Sequence, residues 1–483
     1  MFLKAGALSL ALLLASRVLG LVRESALAGA FGTSGLADVA VLMLTLPDWV
    51  AGVLASGALA YVLVPAWAVQ SRAQVAATQR VVALRLLTGA ALLAVLLALA
   101  REPALAWLAG GLPAQWRPAG TTALLWSAIA LPWALLAALW ATRLQHEQDF
   151  TGMYAANLVV NGVLIAAIVL AAVVAPDSAI QWLGAGLLAS MVARLAWLHW
   201  RIPAGASAPA AAPAPAAALP RVNLWLWAAL SAGLPLALPF VARSVASQSG
   251  AGALATFNYA WKLVELPLLL AIQLVATLAL PAIAKALAAE DPAAARRAVR
   301  SAFALAWALS CGAAAALLVG APAIASLLFG WGRMDDAALA HIASWGAIGA
   351  WGLLPQALIA VALAVLAGRG HMKPAVLAYG LALALLLLAG GSGWTGGAQL
   401  MWLLNALFGL VAIATIASLG QQVRSWLPWR SMAISLGGLV VVSVITFGAS
   451  PGAAWGLWPG LAAAAAAGAL VVATTWWGST DLR

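Results

Sequence analysis

The sequence predicts an all-α polytopic membrane protein with about fourteen transmembrane helices, arranged as two six-helix lobes plus two C-terminal helices. Three observations predict it. Hydrophobic residues make up 65% of the 483, and the mean hydropathy of +1.03 is far above that of a soluble domain. Apolar stretches long enough to cross a bilayer, about 20 residues each, recur along the chain between polar or Pro/Gly punctuation. Charge avoids these stretches: Asp, Glu, Lys and Arg together are only 8% of the chain.

Taken in order, the first span is 3–29. It begins like a signal peptide, with Lys4 and then an apolar run, but Arg17, Arg23 and Glu24 interrupt the region a cleavable signal keeps neutral. A retained first helix is therefore expected. The second span, 36–68, exceeds a simple crossing and contains Pro47, which predicts a kink or a break. Spans 79–100, 120–144, 152–174 and 178–201 complete an N-lobe over 1–202. Residues 203–221 follow, with PAGASAPAAAPAPAAALP at 203–220. This Ala/Pro-rich composition cannot build a core and reads as a flexible cytoplasmic linker. The C-lobe, 222–420, holds spans 222–247, 252–284, 298–320, 337–367, 373–390 and 397–419, the second of which carries Pro267. Spans 430–449 and 454–477 form a C-terminal pair within 421–483.

The two lobes share a pattern. SGLADVAVLMLTLPDWVAGVLASGALAYVLVPAW begins near residue 34 and AGALATFNYAWKLVELPLLLAIQLVATLALPAIAK near 251. Each has a polar residue nine positions before the proline of a Leu-Pro, Asp38 in one and Asn258 in the other. Each ends in an apolar-Pro pair before a basic loop. Two six-span repeats of parallel topology are a transporter architecture, with substrate held at their interface.

Orientation follows from counting basic residues. With the N-terminus in the cytoplasm, 17 Lys and Arg fall at cytoplasmic ends and loops, and only Arg101, Arg117 and Arg333 fall opposite. The cytoplasmic set includes Arg143 and Arg194. The bias places both termini inside by the positive-inside rule. It also accounts for the net charge of +11 without nucleic acid. Trp197, Trp200, Trp426 and Trp429 suit the membrane interface or simple packing. Cys311 is the single cysteine, so no intrachain disulfide or cysteine metal cluster exists. The four histidines show no metal spacing.

Eight ionisable residues lie inside spans: Arg17, Arg23, Glu24, Asp38, Asp48, Arg243, Lys262 and Glu265. A charge at the bilayer centre costs about 2.5–3.5 kcal/mol on insertion scales, so such residues line cavities, pair, or hold a charged substrate. Arg17 is 14 residues into its span, too deep to snorkel to the cytoplasmic face. Arg23 and Arg243 are nearer an interface, where snorkelling and function both remain open. Arg17 and Arg23 are six apart, about 240° around a straight helix, with Gly20 between them as a place to bend. Lys262 and Glu265 are i,i+3 neighbours and can pair. Asp48 follows Pro47 and reads either as a site residue or as the cap of a new helix segment. There is no P-loop, nucleotide-binding Gly motif, HExxH or nucleophile elbow. The sequence thus gives no sign of an enzyme, and no cofactor is implied. The membrane potential or an ion gradient is the expected driving force.

The stretch from Ser16 to Pro65 carries SRVLGLVRE, Phe31-Gly32, Ala37-Asp38, LPD, SGAL and VP. With NYAWKLVELP at 258–267, SLLFGWGRMD at 326–335 and GRGHMKPAV at 368–376, it resembles the MurJ/MviN family of lipid II flippases. That family belongs to the multidrug/oligosaccharidyl-lipid/polysaccharide exporter superfamily. The resemblance implies a V-shaped pair of lobes around a cationic cavity in the bacterial cytoplasmic (inner) membrane. It implies alternating access that moves undecaprenyl-pyrophosphate-linked disaccharide-pentapeptide from the inner to the outer leaflet. It places Arg17, Arg23, Glu24, Asp38 and Lys262 in the substrate set, with Asp48, Arg243 and Glu265 in support. It makes the last two spans a groove for the lipid tail. The expected partners are a lipid-linked glycan and membrane lipids, with no nucleic acid and the chain acting as a monomer. The sequence also departs from the family. Where two arginines and a glutamate commonly follow the Leu-Pro, it has Ala51, Gly52 and Ser56, and Lys262 stands for an arginine. Losing a bidentate fork weakens phosphate recognition. The alternative is therefore a flippase for another polyprenyl-linked oligosaccharide, such as an O-antigen or exopolysaccharide unit.

Overall fold

A computed structural model describes residues 2–54, 58–173, 176–202, 219–272, 275, 279, 283, 285–286, 289, 291–421, 423–448 and 456–482. Among the described residues there are eighteen α-helices and no strand. This is the solution a lipid environment imposes, since a helix satisfies its own backbone polar groups. In order they are α1 (Phe2–Phe31), α2 (Gly35–Val53), α3 (Leu59–Ala68), α4 (Arg72–Leu99), α5 (Arg101–Leu108) and α6 (Arg117–His146). Then come α7 (Phe150–Val173), α8 (Pro176–Arg201), α9 (Val222–Ala246), α10 (Ala253–Pro267), α11 (Pro292–Phe329) and α12 (Asp336–Ala350). The last are α13 (Leu353–Gly368), α14 (Lys373–Gly391), α15 (Gly397–Ala417), α16 (Val423–Trp426), α17 (Trp429–Gly448) and α18 (Leu457–Gly478). Each of the predicted stretches falls on one or two of these helices, except that part of 252–284, beyond 272, lies largely outside the described residues. By length and apolarity alone, eleven helices among the described residues suffice to cross a membrane, or twelve if α12 and α13 count as one bent span. Of the linker, only 219–221 is described, so the expectation for 203–218 lies outside the described residues, as does that for Ser56.

The chain divides into two compact units. The first comprises 1–237 and 247–255, and the second 238–246 and 256–483. In the first, α6 is the central helix and packs on α2, α4 and α8, while α7 packs on α1 and α8. Small residues set the closest approaches, as expected where lipid supplies no hydrophobic drive between helices. A Cβ on Gly184 of α8 would meet the Trp126 ring of α6 at 2.2 Å. The far ends of α7 and α8 are tied by Asp149, which accepts from Gly152 N at 2.9 Å and pairs with Arg201 at 2.7 Å.

Pro47 does not break its span. α2 runs through it to Val53, and Leu54 and Ala58 beyond it are in π-type turns. A proline removes the hydrogen bond to the carbonyl four residues back, here Met43. That carbonyl instead accepts from Ser127 Oγ of α6 at 2.9 Å. The helix survives because a neighbouring hydroxyl supplies the missing donor. Pro267, by contrast, ends α10, and a π-helical segment Leu268–Ile272 follows.

In the second unit, α11 is the central helix, packed on α12, α13, α17 and α18. Its contact with α18 is backbone to backbone. A Cβ on Gly312 would sit 3.0 Å from Gly468 O, and one on Gly320 would sit 2.3 Å from Ala464 Cβ. The C-terminal pair thus packs on the middle of this unit. The predicted span 337–367 is two helices, α12 and α13, bent by 48°. Pro355 leaves the Trp351 carbonyl without its helical donor. At the same bend Asn405 Nδ2 of α15 donates to Ile348 O at 2.7 Å. Gly352 is required there, because a Cβ would lie 2.4 Å from Asn405 Oδ1.

Candidate functional site

In the first unit, α1 carries Arg17, Arg23 and Glu24. Arg17 is exposed and makes no hydrogen bond or ion pair among the described residues. Its neighbouring turn is held against α7, where Asn161 Nδ2 reaches Ser16 O at 3.5 Å. Arg23 is a committed cation. Its Nη2 donates to Glu24 Oε1 at 2.7 Å and its Nη1 to Asp48 Oδ2 at 3.1 Å. Its Nε is buried without an acceptor among the described residues. The guanidinium therefore bridges α1 and α2 between two carboxylates.

This fixes Asp48. It does not cap a new helix segment, because α2 continues past it, so the capping alternative is ruled out. Its carboxylate instead joins Arg23 and feels the charge of Arg194 from α8. Arg194 belongs to this cluster although charge counting had placed it at a cytoplasmic end. Seven residues short of the end of α8 (201 − 194), it keeps its Nε buried and unpaired among the described residues. In this cluster Arg23 and Arg194 balance Glu24 and Asp48, so it carries no net charge, and Arg17 stands apart from it on α1.

Asp38 has a different environment. It is buried, and its two oxygens accept from Gly252 N at 2.6 Å and Ala255 N at 2.8 Å. These amides open α10, where unpaired N–H groups and the helix dipole favour a carboxylate. Gly252 has φ of 79°, and a Cβ there would run into Thr33 O at 1.7 Å, so this turn admits only glycine. No ion pair joins Asp38 to an arginine among the described residues. Of the positions where the family carries arginines, Ala51 is buried, and a Cβ on Gly52 would touch Leu236 Cδ1 at 3.6 Å.

In the second unit, Lys262 Nζ and Glu265 Oε2 are 2.6 Å apart, the i,i+3 pair that the spacing predicts. Arg243 of α9 donates to Asn258 Oδ1 of α10 at 2.6 Å and stacks on Phe240 at 5.1 Å. Asn258 is the residue matched to Asp38 in the sequence repeat, and it ties α9 to α10 through Arg243. No group of residues among those described suits a metal ion.

The profile of the family described as lipid II flippase MurJ matches residues 27–479, nearly the whole chain. The match begins just after Arg17, Arg23 and Glu24. No curated protein sequence matches the chain. A solved structure of the lipid II flippase MurJ in an inward closed conformation superposes with a TM-score of 0.78 at 14% identity, covering 97% of this chain and 98% of the other. An inward-facing multidrug resistance MATE family transporter of the MOP superfamily gives 0.64 at 14% identity, covering 89% and 96%. A MOP superfamily transporter from Pyrococcus furiosus gives 0.61 at 14%, covering 88% and 96%. These likenesses fix the fold, a polytopic helical membrane fold. By its sequence, the chain belongs to the MurJ lipid II flippase family.

Proposed function

We propose that this chain moves lipid II, the undecaprenyl-pyrophosphate-linked peptidoglycan precursor, from the inner to the outer leaflet of the bacterial cytoplasmic membrane by alternating access. Family membership supports the substrate. The observation that carries the reading at residue level is Arg17, an unpartnered cation far inside an apolar helix. Its insertion cost of about 2.5–3.5 kcal/mol is retained without any structural partner to offset it. A pyrophosphate is the ligand a guanidinium fork binds best. Arg23 and Arg194 contribute from the same unit, and Asp48 and Glu24 hold Arg23 in a fixed pose. Lys262 contributes from the second unit, with Glu265 orienting its ammonium. Asp38 acts on the architecture by seating the start of α10, and Arg243 by tying α9 to α10 through Asn258. The helices α17 and α18 serve the lipid tail. The chain works as a monomer with both termini in the cytoplasm, driven by membrane potential or an ion gradient.

A second reading, a flippase for another polyprenyl-linked glycan, is favoured by Ala51 and Gly52, which leave the site short of two arginines. Expression in cells depleted of their own lipid II flippase separates the two. Lipid II transport predicts restored growth by the unmutated chain. If a stably expressed chain does not restore growth, the second reading takes over.

A further inference from the structure

Arg143, in the last turn of α6, is 1% exposed. Its Nε and Nη1 have no acceptor among the described residues, and Nη2 lies 2.8 Å from Glu147 Oε1 but outside hydrogen-bond geometry. Its guanidinium carbon lies 5.9 Å from the ring centroid of Trp67, the residue at the end of α3. Trp67 is 0% exposed, and its Nε1 is likewise buried without an acceptor. His146 meets the same indole edge-on at 5.6 Å. Gln70 Oε1, three residues after Trp67, accepts from Thr78 Oγ1 at 3.0 Å. Three N–H-bearing nitrogens without an acceptor among the described residues, Nε and Nη1 of Arg143 and Nε1 of Trp67, therefore share one buried corner of the first unit, with Nη2 ion-paired to Glu147.

A buried donor without an acceptor costs about 1–3 kcal/mol, more when charged. Two such groups side by side call for an acceptor of their own. A water accepts two hydrogen bonds and brings two further donors, which worsens the imbalance here. A monatomic anion accepts from every direction and needs no donor. The charge also fits. Arg143 and the exposed Arg72, whose field reaches it, outweigh Glu147 by one. The corner is closed to solvent, which rules out a lipid headgroup. We infer that Arg143 and Trp67 bind one small inorganic anion, chloride under cellular conditions, between the ends of α3 and α6. The site lies on helices other than those of Arg17, Arg23 and Arg194, and it stands whether or not lipid II is the cargo.

The test uses the purified full-length chain. Its thermal midpoint is followed as chloride replaces gluconate at constant ionic strength. Anomalous density is collected from crystals grown in bromide. The inference predicts a saturable rise in the midpoint and a bromide peak between Arg143 and Trp67. Trp67→Phe keeps the ring but removes one donor, and should raise the half-saturating chloride about tenfold. Arg143→Met should abolish the rise, while Arg17→Ala should keep it. The inference is overturned by a midpoint indifferent to chloride, by density showing water alone, or by a rise that persists in both Trp67→Phe and Arg143→Met. A rise lost in Arg17→Ala instead also overturns it, because the anion then binds elsewhere. Should Arg143→Met fail to fold, the Trp67→Phe titration and the bromide map decide the matter.

Discussion

Of Arg17, Arg23 and Arg194, Arg23 is the most constrained and Arg17 the least. Arg23 is held by Glu24 at 2.7 Å and Asp48 at 3.1 Å, so it offers a phosphate its remaining nitrogen and its position rather than an uncompensated charge. Arg17 and Arg194 supply that charge. Adjacency in sequence made Glu24 an obvious neighbour of Arg23, but not an obvious partner, and the reach to Asp48 across 25 residues was not legible. Arg194 was hidden for a different reason. It lies within the predicted span 178–201 but near its end, where a basic residue is counted toward the positive-inside bias and not toward a site. In the proposed function Arg194 supplies charge that Ala51 and Gly52 lack, so Arg194→Ala should lower transport in a complementation assay by at least tenfold at unchanged membrane abundance. Arg194→Lys should retain part of it, since an ammonium keeps the charge and loses the fork. Full activity in Arg194→Ala would remove this residue from the site.

At the scale of elements, the apolar pattern located the spans, because length and composition alone are what a bilayer demands. The breaks were less legible. Pro47 predicted one that Ser127 prevents, and the bend at Gly352 rests on Asn405, which comes from another helix 57 residues after Ile348. Such cures and causes lie in tertiary contact, which periodicity cannot report. The α11–α18 contact makes a direct test of packing. Gly320→Leu forces a side chain into a space where even a Cβ meets Ala464 at 2.3 Å. Overpacking of this kind costs about 1–3 kcal/mol or more, so the thermal midpoint should fall, whereas Leu at Gly380, where a Cβ meets nothing within 4 Å, should be neutral. The C-terminal end of this pair is held by Arg300, which donates to Asp481 at 2.6 Å, and by Ser431, which donates to it at 2.8 Å and is itself hydrogen-bonded to Ser479. Burial pushes the Asp481 carboxyl up, but the hydrogen bonds from Arg300, Ser431 and Ser479 and the charge of Arg300 outweigh it, leaving its pKa below the usual carboxylate value. A depressed folded-state pKa means stability that is complete above the ordinary carboxylate range and is lost as pH falls through the folded value. Asp481→Asn should therefore lower the midpoint at neutral pH and flatten its decline in acid, read by thermal unfolding across pH.

For the whole molecule, the fold was the most legible level and the site the least. Hydropathy and the positive-inside count describe a protein in a bilayer, and motif residues such as SRVLGLVRE suggested the family that the profile over 27–479 supports. What the sequence left undecided was the division of labour among the eight charges within spans. Asp38 illustrates it: a carboxylate in a span reads as a site residue, yet its partners are two backbone amides more than 200 positions away, at Gly252 and Ala255. The pairs that were legible, such as Lys262 with Glu265, are those one helical turn apart. The account that results is of a lipid transporter in which Arg17 has no partner among the described residues. The most direct measurement is leaflet accessibility in proteoliposomes containing the purified chain and lipid II labelled on its pentapeptide. A membrane-impermeant quencher should reach a growing fraction of the label over time with the unmutated chain, and no more than in protein-free vesicles with Arg17→Ala. Equal accessibility with and without the unmutated chain, or undiminished transport by Arg17→Ala, would contradict the account.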